Sequence, residues 1–423
     1  LKRLVATAQE AATTDAEAAG QKPPVLSNFP GKTDIMTSAQ KSMTPFLLLC
    51  LIGFAAFFSS YLRIPVMPLL AATMGAGPAQ IGTINGAFML TTGLLSIPAG
   101  LLADRIGRTV PIIAGVSATA ISSLLVTLCH QPEQIASAYI LFGAGLAAFA
   151  PGMLSLVADV MPPNRLGQAY GWYTTAIYIA MTLGPATGGY LAKTVGLRQV
   201  FIVSGCLLAA VALLALFVLP KGPPRHKTDL HAALSASFEL LHNSRLLACL
   251  LATIGSCIGF GVFLTFIPLY AAQQGYDPAQ IGLIFAAQAI TNVVGRVPIG
   301  SLSDRVDRRW LVAVGLIFLA IALASFGQMV RLPCLMACAV VMGMGMALTF
   351  TAIGALIAEL VPTVQRGLAM GMYNSCVYLG MMTGATALGV ALKRIAYPAG
   401  FAAAGSAALV TALLFFPMMR RRQ

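Results

Sequence analysis

The stretch GLLADRIGRTV, Gly100–Val110, returns two hundred residues later as GSLSDRVDRRW, Gly300–Trp310. Asp104-Arg105 meets Asp304-Arg305 and Arg108 meets Arg308 at one offset. The register holds on both sides. Upstream, PAQIG at Pro78–Gly82 recurs at Pro278–Gly282, and Pro98-x-Gly100 recurs as Pro298-x-Gly300. Downstream, Asp159 meets Glu359, Pro162 meets Pro362, Tyr173 and Tyr178 meet Tyr373 and Tyr378, and Gly184 and Gly189 meet Gly384 and Gly389. Apolar segments resemble one another by chance, but chance does not align Asp, Arg, Pro and Gly at a single ungapped offset. The chain is a tandem duplication.

What is duplicated follows from composition. Of the 423 residues, 58% are hydrophobic and 9% charged. Soluble domains carry about 25% charged residues, so this chain cannot cover a water-facing surface and reads as an all-α integral membrane protein. Apolar runs long enough to cross a ~30 Å hydrocarbon core recur along it, and the alternation of a β-barrel strand is absent. The runs predict twelve transmembrane helices in two parallel-repeat six-helix halves, 44–220 and 245–419. A connector at 221–244 joins them, and its stripe Leu230, Leu234, Phe238 and Leu241 predicts a short amphipathic helix on the membrane face. Residues 1–43 read as a disordered polar tail and 420–423 as a basic one. Parallel repeats of this kind are related by an axis along the membrane normal, with the solute site between the halves near mid-membrane.

The net charge of +13 reads as topology rather than as a nucleic-acid footprint. With both termini in the cytoplasm, nineteen of the 26 Lys and Arg fall on that side and five on the other. This is the positive-inside bias. The expected location is therefore a bacterial inner membrane, with lipid as surroundings and no nucleic acid as partner. The eight cysteines form neither a disulfide framework nor a metal-ligand pattern, so no metal or cofactor is expected.

The two copies of the Asp-Arg loop resemble the signature loop of the major facilitator superfamily, roughly G-x-x-x-D-R-x-G-R-R. The resemblance covers residues 44 to 420. It implies an alternating-access transporter, expected as a monomer, that moves a small molecule. It also implies a gating cluster of Asp104, Arg105, Arg108 and Asp159, repeated as Asp304, Arg305, Arg308 and Glu359, that latches the halves on the cytoplasmic side. Asp307 stands where the loop has Gly and adds a charge to the second copy. The stretch AMTLGPATGGYL, Ala180–Leu191, is similar to the glycine-proline motif of drug/proton antiporters. There Gly184, Pro185, Gly188 and Gly189 would form a helix-packing motif, with Ala180 replacing its first Gly. The likeness favours efflux, with protons or a counter-ion as the coupled species. Two departures stand against the antiporter pattern. Tyr139 occupies the span-four position where such exporters carry Arg, and no Asp or Glu lies deep in any span.

Two arginines do lie inside spans, Arg63 in the first and Arg296 in the eighth. Their repeat partners are Phe263 and Ser96, so neither belongs to symmetric scaffold. Ionisable groups inside a membrane mark functional sites. Gln288, Asn292 and Arg296 share one face of their helix by their i, i+4, i+8 spacing. Arg63, Arg296, Asn292, Gln288, Tyr178 and Tyr378 are the candidate substrate-binding residues. Arg favours planar anions, which keeps an organic-anion uptake or exchange carrier open beside export. A non-transporting membrane sensor or assembly protein on the same fold is the third reading. No nucleophile, metal cluster or nucleotide loop suggests an enzyme.

Overall fold

With no water in a bilayer core, backbone N–H and C=O groups must be satisfied within each spanning segment. The computed structural model, which describes residues 32–162, 165–220, 240–362 and 365–420, answers this with helices alone among the described residues. In chain order they are α1 (Lys32–Leu62), α2 (Val66–Thr73), α3 (Pro78–Ile106), α4 (Thr109–Leu128), α5 (Pro132–Val160), α6 (Leu166–Thr194) and α7 (Leu197–Val218). After the connector come α8 (Ser244–Gln273), α9 (Pro278–Ser303), α10 (Arg308–Phe326), α11 (Leu332–Leu360), α12 (Arg366–Ala391) and α13 (Tyr397–Arg420). The first span, Thr44–Thr73, is α1 and α2 broken at Arg63-Ile64-Pro65.

The starts of α3 and α9 explain why PAQIG is written twice. Gly75 and Gly275 take φ of 83° and 85°, a conformation that costs other residues a clash with Cβ. Pro78 and Pro278 then open the helices where a missing N–H loses nothing. Gln80 and Gln280 reach back to the backbone N–H of Gly77 and Asp277, at 3.1 and 3.0 Å. Asp277 adds the reciprocal bond, accepting from the Gln280 backbone N–H at 2.9 Å.

One expectation changes. The tail read as disordered through residue 43 is already helical from Lys32. Residues 32–43 are rich in helix formers, and prolonging an existing helix escapes the cost of nucleation. Among the described residues all twelve expected spans are helical, α1 and α2 together forming the first, and ten of them are also apolar enough to qualify as spans by composition. The helices α6 and α12 fall short because Gly, Thr, Ser and Tyr replace aliphatics along them. Those residues are used for helix contact instead. Most of the connector, 221–239 with its expected amphipathic helix, lies outside the described residues, as do 421–423.

Without a hydrophobic drive between helices in lipid, association rests on close packing of small residues. Here α6 and α12 supply it in the same way. A Cβ at Gly188 would sit 1.8 Å from the Leu62 carbonyl oxygen, and one at Gly184 would sit 2.7 Å from Tyr61 Cβ, so α6 presses on α1. In the second half, Gly380 and Gly384 press on the Ile254 and Ile258 carbonyls of α8. The third glycine of each set crosses to the other half. Gly189 lies on Pro278 of α9, and Gly389 on Pro78 of α3. The halves therefore meet along two repeat-related seams, α6–α9 and α3–α12.

Gly188→Leu is expected to destabilise the protein by about 3 kcal/mol or more, since overpacking costs about 1–3 kcal/mol even where neighbours can yield. A thermal melt in detergent reads this as a lowered midpoint. Gly171→Ala is the control: its Cβ would meet open space, and the helix should gain about 0.5–1 kcal/mol.

Candidate functional site

The seams are pinned most tightly at one end. At the end bearing Pro78 and Pro278, a Cβ at Gly82 would lie 2.3 Å from the Ala385 carbonyl oxygen, and one at Gly189 would lie 2.2 Å from that of Pro278. Asn85 on α3 donates to Thr265 Oγ1 on α8 at 3.0 Å, both buried. Lys193 Nζ on α6 pairs with Asp277 Oδ2 at the start of α9 at 2.9 Å. Toward the arginine-rich end the glycines of the same four helices are not pressed on a neighbour. Gly100, Gly167, Gly300 and Gly367 would all point a Cβ into open space.

Between these regimes stand repeat positions 96 and 296. On the α6–α9 seam the Arg296 guanidinium lies 4.0 Å over the Tyr178 ring, so the contact crosses from one half to the other. Arg296 Nε donates to Asn292 Oδ1 at 3.1 Å, one turn away on the same face. Gln288, one turn further, is buried, its amide 3.1 Å from Met346 Sδ. On the α3–α12 seam Asn374 donates to Ser96 Oγ at 3.4 Å and Ser375 to the Gly93 carbonyl at 3.0 Å. The Tyr378 ring packs edge-on against Phe88. One seam thus carries a cation on an aromatic face and the other a neutral amide–hydroxyl contact. A cation–π pair contributes about 0.5–2 kcal/mol, weak enough to be exchanged for a ligand.

The structure does not bring the two arginines together. Arg63 is 0% exposed, at the break in the first span. Its guanidinium lies 3.5 Å over Phe142 and 5.4 Å from the Tyr139 ring. Nη1 donates to Ser123 Oγ at 3.0 Å, Ser123 bonds Ser204 at 3.0 Å, and Ser204 donates to the Ser59 carbonyl at 2.7 Å. These partners sit on α1, α4, α5 and α7, so Arg63 is enclosed by the first half rather than facing the seams. The cation missing from position 139 is thus supplied beside Tyr139 from the first span.

At the arginine-rich end Arg108 pairs with Asp159 at 2.6 Å and also reaches the Ser155 carbonyl. Its repeat, Arg308, pairs with Glu359 and, at 3.3 Å, with Asp304. Each is a contact within one half. The first pair is the drier, with side chains 20% and 25% exposed, while Asp304 and Glu359 are 74% and 58% exposed. Arg105 stands exposed on the last turn of α3 and Arg305 just past α9, and the Asp104 side chain lies outside the described residues. Asp307 caps α10 through the Arg309 backbone N–H and binds the Arg309 side chain. The Arg309 hydrogen bonds hold its carboxyl below the usual range.

Sequence reasoning missed the contacts across the seams. A signal existed for one: Asp277 is an acid where the repeat has Gly77. The Lys193 hydrogen bond, followed by the Gln280 backbone N–H, lowers the Asp277 carboxyl, and Asp277 raises Lys193.

These features are those of a helical membrane transporter with two repeated halves. The family model of the Major Facilitator Superfamily matches residues 49–278 and 249–423, and the chain belongs to that superfamily. An MFS-type transporter of Methanocaldococcus jannaschii is 25% identical over 352 residues, covering 82% of this chain and 89% of that protein. Multidrug resistance protein 2 of Bacillus subtilis is 26% identical over 289 residues, 66% of this chain and 72% of its own length. The solved nucleoside transporter NupG superposes with a TM-score of 0.76 at 15% identity, over 89% of this chain and all of that one. The chain is a multi-pass membrane transport protein.

Double-mutant cycles should separate the two loop copies. Arg108 with Asp159 is expected to couple by about 1 kcal/mol, and Arg308 with Glu359 by less than about 0.5 kcal/mol, as exposure screens ion pairs. For Lys193–Asp277, a depressed carboxyl contributes above its unfolded value, 3.8, and is lost only as pH falls through its lower folded value. Spin labels introduced by Tyr190→Cys and Leu283→Cys in a cysteine-free background should report the same α6–α9 distance at pH 8 and pH 5. Asp277→Asn should lengthen it at both.

Proposed function

We propose that this chain exports small organic molecules by alternating access, holding the solute between its halves at Arg296, Asn292, Gln288 and Tyr178, with Tyr378 on the opposite seam. The carrying observation is the Arg296–Tyr178 contact. It joins the two halves between the tight glycine contacts at one end and the arginine pairs at the other, so a solute passing between the halves meets it. Guanidinium, carboxamides and aromatic rings together offer both polar and stacking partners.

The positive-inside bias assigns the arginine-rich end, and both termini, to the cytoplasm. The tight glycine contacts and the Lys193–Asp277 pair then lie on the outer side, which supports loading of a solute from the cytoplasm. The glycine-proline stretch of α6 and the likeness to a multidrug resistance protein support efflux. Among the described residues no Asp, Glu or His lies in the middle of a span. Coupling to protons, if the cycle uses them, falls to Asp104, Asp159, Asp304 and Glu359 at the cytoplasmic rim, where rupture of the arginine pairs accompanies the switch between states. The Arg108 and Arg308 clusters brace each half as a rigid body, and Asp104 and Asp304 complete the latch when the cytoplasmic side closes. We propose a monomer in a bacterial inner membrane.

A second reading, an organic-anion carrier, is favoured by one observation: the cation at Arg296 has no acid beside it among its described partners. Thermal-shift titration of the purified protein with salicylate and with tetraphenylphosphonium separates the two. Ligands that bind the native state raise its melting midpoint. Stabilisation by salicylate that vanishes in Arg296→Ala makes the solute an anion. Stabilisation by the cation, unchanged in Arg296→Ala, keeps broad export and removes Arg296 from the site. Arg63→Ala should lower the midpoint without changing either ligand shift, because Arg63 is enclosed by its own half.

A further inference from the structure

A hollow of about 540 Å³ opens at the Pro78/Pro278 end. Its walls obey the duplication: every lining residue has its 200-offset partner in the lining. The hollow therefore sits on the pseudo-twofold axis between the halves. Leu69 with Leu269 and Ile81 with Ile281 are its buried floor. One turn deeper the Asn85–Thr265 hydrogen bond ties the halves. The floor thus divides this well from the Arg296 contact deeper in the seam.

The lining chemistry is specific in what it omits. No charged side chain lines the well. Lys193 and Asp277, beside its rim, neutralise each other. The two halves also differ where the repeat drifts. Thr73, Ala76 and Leu197 of the first half face Gln273, Tyr276 and Tyr397 of the second. One wall is plain and aliphatic, the other carries two phenol rings and a carboxamide. The Tyr276 hydroxyl is fixed by the Val330 carbonyl at 2.7 Å, which holds its ring in place. Ligand pockets run from about 300 to 1,000 Å³, are mostly apolar and carry few polar groups. This well meets that description without a residue of the Arg296 site.

We propose that the well is a second solute-binding site, distinct from the one at Arg296, for neutral molecules that carry an aromatic ring. The ring stacks on the wall of Tyr276 and Tyr397, Gln273 takes one hydrogen bond, and an ionised group is excluded for want of a counter-charge. A molecule seated there touches both halves above the closed floor, so it binds this conformation and holds it.

The test uses two probes that share a ring system, neutral N-phenyl-1-naphthylamine and its sulfonated relative 8-anilino-1-naphthalenesulfonate. The protein is reconstituted in lipid nanodiscs with Trp172→Phe and Trp310→Phe, and Tyr276→Trp places the sole donor in the well. The neutral probe should quench that donor saturably and the sulfonate should not. Ala72→Phe and Ala272→Phe, made separately, fill the well from opposite halves at exposed positions and should each weaken binding at least about tenfold. Arg296→Ala should leave it unchanged, so a failed export reading does not disturb the result. Quenching that rises linearly with probe, or that neither Phe variant alters, overturns the site. Equal saturable binding of both probes overturns its neutral class.

Discussion

Backbone-to-backbone contact at glycine is the constraint on which the rest of this structure depends. Helices in lipid gain nothing by hiding aliphatic side chains from one another, so they must approach closely enough for dispersion to matter. The glycines of α6 and α12 permit that in two directions at once. Gly184 and Gly188 fasten α6 to α1 inside the first half, while Gly189 sets α6 against α9 of the second. One helix is thus a structural strut and a sliding surface. A bulky side chain on its inner face would interfere with both.

Charge is distributed by the same economy. Carboxylates collect at span ends, where water or an arginine satisfies them, and the described membrane interior holds cations without acids. Arg63 and Arg296 handle the isolation differently. The first is walled in by two aromatic rings and a chain of serine hydroxyls. The second rests on a ring belonging to the opposite half. Of the two, Arg296 touches the opposite half, which is why the proposed solute role is given to it and not to Arg63.

Much of the architecture was legible because duplication leaves a linear record. Asp104 and Asp304, Pro78 and Pro278 and the glycines of α6 and α12 fixed the helices, their pairing and the axis. Hydropathy read together with the breakers placed α6 and α12 as well, although their Gly, Thr and Tyr serve contact more than lipid. The Lys32 start was hidden because a polar segment reads alike whether it frays or prolongs a helix. The site was less legible. Which way Arg63 faces depends on the break at 63–65, and a one-residue turn of that break redirects the side chain. Pairs such as Lys193–Asp277 and Asn85–Thr265 join distant positions on different halves, and no local pattern announces them.

The ion pair at Lys193 has a consequence for how the molecule opens. The position equivalent to Asp277 is Gly77, which offers Lys393 no acid. The two seams are twins in backbone packing, yet among the described residues only α6–α9 is buttoned by an ion pair at its Pro278 end. In the alternating-access cycle proposed above, the α3–α12 seam would have one ion pair fewer to break at this end, so the two seams would part unequally, like a book opened from its loose edge with α6–α9 as the spine.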